Sequence, residues 1–379
     1  MTGGSEQAGL DAALGRLGHW FWYTVPGFVG RFSLGLTGIL SDGRYLAGRR
    51  RLAALVPLLG ILGGFLVGAL HPFAEKSNGV VTESLPGLCV LALLAGLGAA
   101  VGLWGFVGFV AGDFLLGYRG VGGQFFFLNG LERVQKQLIP LAIFYGVFFV
   151  LMVLIPTVVQ WVALDSRRRA SNRLVAAIAW LSPYVLLAVS MWAWAQAAAF
   201  LIRPMWSFQG ELPSVAAIAN LQLDWWVLAG GAVVGRIVRS LIEITATSTE
   251  AQVPPPTSRR RLALPWWAWA LIKATAFALV LGGLADNLLL GAATWLVLLA
   301  MFAFFERIAD NPPRLVARMR SWPVVVRLAI PSALAVGLGL WVAVIAQAAY
   351  VTTFIPFLAA TLVTLFVFGL LVSPPQRSR

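Results

Sequence analysis

The chain has 379 residues, of which 59% are hydrophobic and only 11% charged, too few charges to clothe a water-facing globular domain. Its 28 Lys and Arg exceed its 15 Asp and Glu, giving a net charge of +13. In a soluble protein that excess would suggest nucleic acid, but here the cations flank apolar stretches, as membrane topology requires, so nucleic acid is not expected as a partner.

Nine stretches are apolar for about twenty residues, enough for a helix to cross a hydrocarbon core of about 30 Å while satisfying its own backbone. The expected fold is all-α: a polytopic transmembrane helical bundle of about nine spans, with an N-terminal interfacial or re-entrant helix. Residues 1–18 are polar and Gly-rich and carry Glu6 and Asp11, without a basic start and short apolar core, so uncleaved spans are expected to direct insertion. Residues 19–40 are aromatic, but Pro26 and Arg31 interrupt them, and a central Arg costs about 2.5 to 3.5 kcal/mol on insertion scales. This is the stretch assigned to the interface.

A basic segment, Arg44 to Arg51, precedes the first firm span at 52–71. A loop with Glu75, Lys76 and Glu83 leads to residues 87–117, an apolar run long enough to require tilt or projection beyond the bilayer. The loop from Arg119 to Gln137 carries Gly120, Gly122 and Gly123, then Phe125, Phe126 and Phe127, a tip suited to dipping back into the membrane. Further spans are expected at 138–164, 174–202, 213–235, 262–284, 288–305, 323–349 and 351–372. Thr245 to Arg261, with Pro254, Pro255 and Pro256, reads as a hinge. It divides the chain into a polar and aromatic N-terminal region (1–51), a first bundle (52–244), the hinge (245–261) and a second bundle (262–379).

Counting Lys and Arg in short loops places residues 165–173 (four Arg), 236–261 (five), 306–322 (four) and the tail beyond 372 (two) on one side. That side is expected to be cytoplasmic, with the C-terminus inside. The four Arg of 44–51 break the scheme, because three spans separate them from 165–173. Either that cluster faces outward, or one intervening run is re-entrant or double, and 87–117 is the prime suspect.

Ionisable residues in or near spans are Arg31, Asp113, Asp224, Arg236, Lys273, Asp286 and Arg327. Asp286 beside Asn287 reads as a loop turn, and Arg236 and Arg327 as snorkelling cations. Asp113 is expected in an interfacial ion pair with Arg119, and Lys273 is the deepest cation, with Asp113 or Asp224 as its candidate partner. Asn220, Gln222 and Asp224 make 213–235 the most polar span, one that faces other helices. Arg236, Arg239 and Glu243 recur at helical spacing on one face. Small-residue pairs Gly64/Gly68, Gly98/Gly102, Gly108/Gly112 and Gly231/Gly235 read as helix contact surfaces.

Catalytic chemistry has little support. His19 and His71 lack metal-ligand spacing, Cys89 is the single cysteine, and no GxSxG elbow or Walker loop is present. No metal and no cofactor are expected. Gly117 to Gly123 around Arg119 is a weak phosphate cradle. The leading expectation is a non-enzymatic anchor, scaffold or translocation subunit, whose clusters Arg49, Arg50 and Arg51, Arg167, Arg168 and Arg169, and Arg259, Arg260 and Arg261 meet an acidic protein partner or anionic lipid. A homo-oligomer is the other expected assembly. A channel or secondary transporter using Asp113, Asp224 and Lys273 is the alternative, and a lipid-modifying enzyme working through Arg119 to Lys136 the third. High Ala, Gly and Arg content points to a bacterial cell (inner) membrane.

Overall fold

The apolar run 87–117 does not form one tilted span. In the computed structural model it breaks at Gly98, whose φ of 129° is a conformation L side chains rarely adopt. Described are residues 3–30, 34–47, 50–70, 80–117, 144–169, 172–206, 221–245, 264–282, 288–310, 312–348 and 354–372. All regular structure among them is helical. The chain forms two compact units, Met1–Ala198 with Pro213–Leu262, and Ala199–Leu212 with Ala263–Arg379.

In the first unit, α1 (Gly3–His19) continues through a π-helical turn (Trp20–Thr24) into α2 (Val25–Val29), followed by α3 (Leu34–Ser41) and a 3₁₀ turn (Asp42–Leu46). Then come α4 (Arg50–Leu70), α5 (Val80–Leu97) and α6 (Ala99–Gly112), the last running on through a π turn (Asp113–Gly117). α7 (Phe144–Arg169), α8 (Arg173–Trp206) and α9 (Trp225–Thr245) follow. Two π turns immediately precede prolines, Trp20–Thr24 before Pro26 and Val150–Leu154 before Pro156. A proline has no N–H for the carbonyl four residues back, and the wider turn re-routes that pairing.

Contacts along the helices fix their directions. Gly60, Gly64 and Gly68 of α4 lie against Val101, Gly105 and Phe109 of α6 in the same order, so α4 and α6 are parallel. Folding back at Gly98 brings Leu94 of α5 beside Gly105 of α6, so these two are antiparallel. Ring contacts Phe106–Phe149 (5.3 Å) and Phe109–Phe148 (5.1 Å) run α7 antiparallel to α6. Gly231 meets Cys89 and Ala92 while Gly235 meets Leu93 and Gly96, so α9 is parallel to α5. Tyr184 to Ser240 and Gln196 to Gln222 hydrogen bonds make α8 antiparallel to α9.

Four helices therefore separate the basic segment before α4 from the one ending α7. The start of α4, the Gly98 turn, the end of α7 and the end of α9 all lie at one end of the unit. Residues 87–117 are thus shared by two antiparallel helices, α5 and α6.

The small-residue surfaces are the means of close approach. A Cβ on Gly64 would overlap the Gly105 carbonyl, and one on Gly108 the Ile61 carbonyl. Gly98 departs from the expected Gly98/Gly102 pair: it makes the turn, while Gly102 alone packs, against the Met152 carbonyl. The polar N-terminal segment forms α1, which lies on α4. Gly18 abuts Ala53, Trp22 Nε1 donates to the Ala53 carbonyl at 2.8 Å, and Arg51 pairs with Asp11 at 3.0 Å. Trp22 and Phe21 are buried, so the aromatic stretch packs on the bundle.

The second unit contains α10 (Trp266–Gly282), α11 (Leu288–Asp310), α12 (Arg314–Arg320), α13 (Val324–Ala348) and α14 (Phe354–Val372). α10 packs on α11 through Phe277 and Phe302, and α14 meets α11 through Phe366 and Phe305. Arg320 Nε and Arg327 Nη1 donate to the carbonyls of Leu370 and Leu371, capping the α14 C-terminus. Arg327, expected to snorkel, is thus used inside the unit. Burial and the neighbouring Arg327 lower the Arg320 pKa.

Among the described residues seven helices are long and apolar enough to cross a membrane, where about nine spans were expected: α4, α6, α7, α8, α11, α13 and α14. α5 is shorter, α9 carries Arg236, Arg239 and Glu243, and α10 has 17 residues.

Gly98→Ala is expected to lower stability by more than about 2 kcal/mol, since the strained backbone alone costs about 1–3 kcal/mol and a Cβ would also collide with the Arg239 guanidinium. Gly230→Ala, with nothing within 4 Å of its Cβ position, should be neutral or stabilising by up to about 1 kcal/mol. Thermal unfolding of both variants in mild detergent checks the contrast.

Candidate functional site

The end of the first unit where the Gly98 turn lies holds a buried ionic network. Helical spacing puts Arg236, Arg239, Ser240 and Glu243 of α9 on one face, and Arg236 and Arg239 are 4% and 2% exposed. Asp42, in the 3₁₀ turn, receives Arg239 through two parallel hydrogen bonds, Nη1 to Oδ2 at 2.8 Å and Nη2 to Oδ1 at 2.9 Å. The third edge of the guanidinium, Nε, donates to Glu243 Oε1 at 2.7 Å. Asp42 Oδ2 also accepts the Ala99 backbone N–H at 2.8 Å, an unpaired donor at the start of α6.

Tyr45 completes the arrangement. Its ring lies under the Arg239 guanidinium at 4.6 Å and its hydroxyl donates to the Leu97 carbonyl at 2.6 Å. Burial pushes the Tyr45 phenol well above its ordinary pKa, so the donor stays protonated. Both sides of the Gly98 turn are thereby held by one short segment.

Arg236 sits beside this network with a different fate. Its Nη2 donates to Gln160 Oε1 of α7 at 3.0 Å, while its Nε is buried without an acceptor. No carboxylate pairs with it among the described residues. The Ser240 hydroxyl donates to the Arg236 carbonyl at 3.1 Å and accepts from Tyr184 of α8 at 2.6 Å. α7 thus meets α9 at the Arg236 guanidinium, and α8 meets α9 at Ser240.

The other sequence candidates are dispersed. Asp113, 4% exposed, accepts the Tyr145 hydroxyl at 2.5 Å, and its expected partner Arg119 lies outside the described residues. Asp224, 3% exposed, stands before the first turn of α9 with Oδ2 unpartnered. Gln222 and Gln196 exchange hydrogen bonds with each other's backbone carbonyls, and Asn220 lies outside the described residues. Lys273 pairs with Glu306 of α11 rather than with either aspartate. Arg167 and Arg168 are exposed, and Arg169 is bridged to Asp165 at 3.1 Å. Arg50 opens α4 and Arg51 holds Asp11. Arg31, Arg49, Asp286, Arg259, Arg260 and Arg261, and the loop from Arg119 to Lys136, lie outside the described residues.

Sequence reasoning found the α9 face and missed Asp42, Tyr45 and Gln160. One signal was available: Asp42 is an isolated acid at the head of the basic segment. Among the described residues no three His, Cys, Asp or Glu side chains converge to hold a metal. No family model, curated protein or solved structure matches the chain.

Removing one member of a buried ion pair leaves an uncompensated charge, at about 3–5 kcal/mol. Asp42→Ala is expected at the low end, because Glu243 still neutralises Arg239, and Arg239→Met should cost a similar amount. The double variant should fall short of the sum by more than about 1 kcal/mol. A double-mutant cycle on unfolding free energies measures this, and additivity within about 0.5 kcal/mol would contradict the coupling.

Proposed function

We propose that the protein is a non-enzymatic, multi-pass membrane scaffold, serving as the anchor or translocation subunit of a larger complex, and that its basic end docks an acidic protein partner. The observation that carries this reading is the gathering of Arg51, Arg167, Arg168 and Arg169 at one end of the first unit by the Gly98 turn. The positive-inside rule makes that end cytoplasmic. The Lys and Arg count of the later loops supports a C-terminus on the same side, in a bacterial inner membrane.

The use of the buried charges supports a scaffold. Asp42, Arg239 and Glu243 satisfy one another, Lys273 is paired with Glu306, and Asp113 is hydrogen-bonded to Tyr145. Groups locked in such pairs position helices. Exposed Arg167 and Arg168 have no such role in the fold and are available to a partner.

A solute pathway is the second reading, supported by the buried, unpartnered Oδ2 of Asp224. Proton flux into proteoliposomes that is equal for wild type and Asp224→Asn would remove it.

Affinity purification in mild detergent is expected to retain an acidic protein stoichiometrically. Arg167→Ala/Arg168→Ala should lose it while keeping wild-type unfolding behaviour. A solitary protein under gentle conditions would refute docking. For sidedness, a C-terminal green fluorescent protein fusion should fluoresce and an alkaline phosphatase fusion should stay inactive; the reverse pattern would invert the orientation.

A further inference from the structure

A guanidinium keeps its charge at every physiological pH, and burying it without an anion is costly. Arg236 is in that position: 4% exposed, its one side-chain hydrogen bond directed to a neutral amide, its Nε without an acceptor. Its neighbours explain why no carboxylate contacts it. Both nearby carboxylates, Asp42 and Glu243, are hydrogen-bonded to Arg239, and the other charge acting on Arg236 from α7 is Arg167, a further cation. The two carboxylates attract Arg236 from a distance, but among the described residues no anion touches it, and its Nε is left without an acceptor.

The surroundings indicate what form that charge takes. The Gln160 amide on α7 meets the guanidinium, and the Ser240 hydroxyl, itself accepting from Tyr184, donates to the Arg236 backbone carbonyl. On the same helices, at the same level, large apolar side chains face outward: Trp161 (38% exposed), Leu181 (57%) and Ile237 (46%). A buried cation met by an amide and flanked by an outward apolar wall suits an amphiphile with an anionic head. A soluble anion would gain nothing from the wall, and an acidic protein would meet Arg167 and Arg168 first. Basic pockets between membrane helices on the cytoplasmic side take anionic lipid head groups by this chemistry.

We propose that Arg236 and Gln160 form a site for the phosphate of an anionic glycerophospholipid, seated where α7, α8 and α9 converge. The inference rests on the membrane-embedded reading of the bundle and does not require a protein partner. The lipid phosphate accepts from Arg236, and the Gln160 amide donates to a second phosphate oxygen while its Oε1 keeps the Arg236 contact. Acyl chains lie along the outward apolar side chains.

The test uses full-length protein in detergent with added phosphatidylglycerol, phosphatidylcholine or inorganic phosphate, read by native mass spectrometry and thermal unfolding. One phosphatidylglycerol should be retained per chain and should raise the unfolding temperature, with phosphatidylcholine and phosphate ineffective. Gln160→Glu is the decisive variant: it supplies Arg236 with an internal counter-ion of nearly the same shape. It should unfold at a higher temperature than wild type without lipid, and bind phosphatidylglycerol about tenfold more weakly, the size of one lost charge-assisted hydrogen bond. Arg236→Lys should weaken retention while keeping some response. An unchanged response to phosphatidylglycerol in Gln160→Glu would overturn the site, and an equal shift with inorganic phosphate would overturn its assignment to lipid. Retained lipid in a protein that captures no partner would count against the scaffold alone.

Discussion

The Asp42 carboxylate is the point on which the first unit turns. One of its oxygens takes both an Arg239 N–H and the backbone N–H of Ala99, and the other takes a second Arg239 N–H. Three distant parts of the chain, the 3₁₀ turn, the α5–α6 corner and α9, are tied at one side chain. The corner needs such a tie. Its single linking residue leaves the first N–H groups of α6 and the last carbonyls of α5 without helical partners, in a region with little water. Asp42 satisfies one side and the Tyr45 hydroxyl the other, at Leu97. Arg239 in turn prevents Asp42 from being a buried lone anion, and Gly98 leaves the space that its guanidinium occupies.

Helix order follows from that corner. Because α5 returns immediately after α4, α6 can lie parallel to α4, and the two meet through glycine with no side chain between them. Association in an apolar solvent gains little from hydrophobicity, so close van der Waals contact and interhelical hydrogen bonds must supply it. The α4–α6 and α5–α9 seams, built on Gly64, Gly108, Gly96 and Gly235, are where that contact is tightest. The second unit is held differently. Its longest helix, α13, has only 11% of its apolar window buried, against 56% for α7. Such a helix owes its fold chiefly to its own backbone pairing.

Helix identity was legible from composition because twenty apolar residues in lipid have one way to satisfy a backbone. Direction was not. Residues 87–117 are continuous in hydropathy, and a scale of transfer energies is blind to a reversal made by one glycine. Gly98 and Gly102 stand four apart, and that spacing resembles a packing pair; only the φ of Gly98 and the space taken by Arg239 reveal the turn. The charge parity of the Arg loops did mark 87–117 as the suspect run, since an odd number of spans between two basic segments meant either an outward-facing cluster or a run that is re-entrant or double. Within the site, the α9 residues were legible because they recur at helical spacing. Asp42 was not, because 197 residues separate it from Arg239 and no periodicity connects a turn to a helix. Lys273 illustrates the same limit: depth in a span predicted that it needed a carboxylate and could not say which.

Two arginines three residues apart on α9, equally buried, are treated differently by the same fold. Arg239 has two carboxylates and an aromatic face, while Arg236 has an amide. If burial of cations here served stability alone, an apolar residue at position 236 would be preferable, since a well-packed hydrophobic side chain does as well as a buried ion pair and far better than an unpaired ion. Nor is the distance to water a sufficient reason, because Arg167 and Arg168 already provide positive charge at this end in solvent. A charge retained in a costly position requires a compensating anion. The fold commits both nearby carboxylates to hydrogen bonds with Arg239, and the exposed apolar flanks of α7, α8 and α9 are the setting in which we propose that a lipid head group supplies the missing contact.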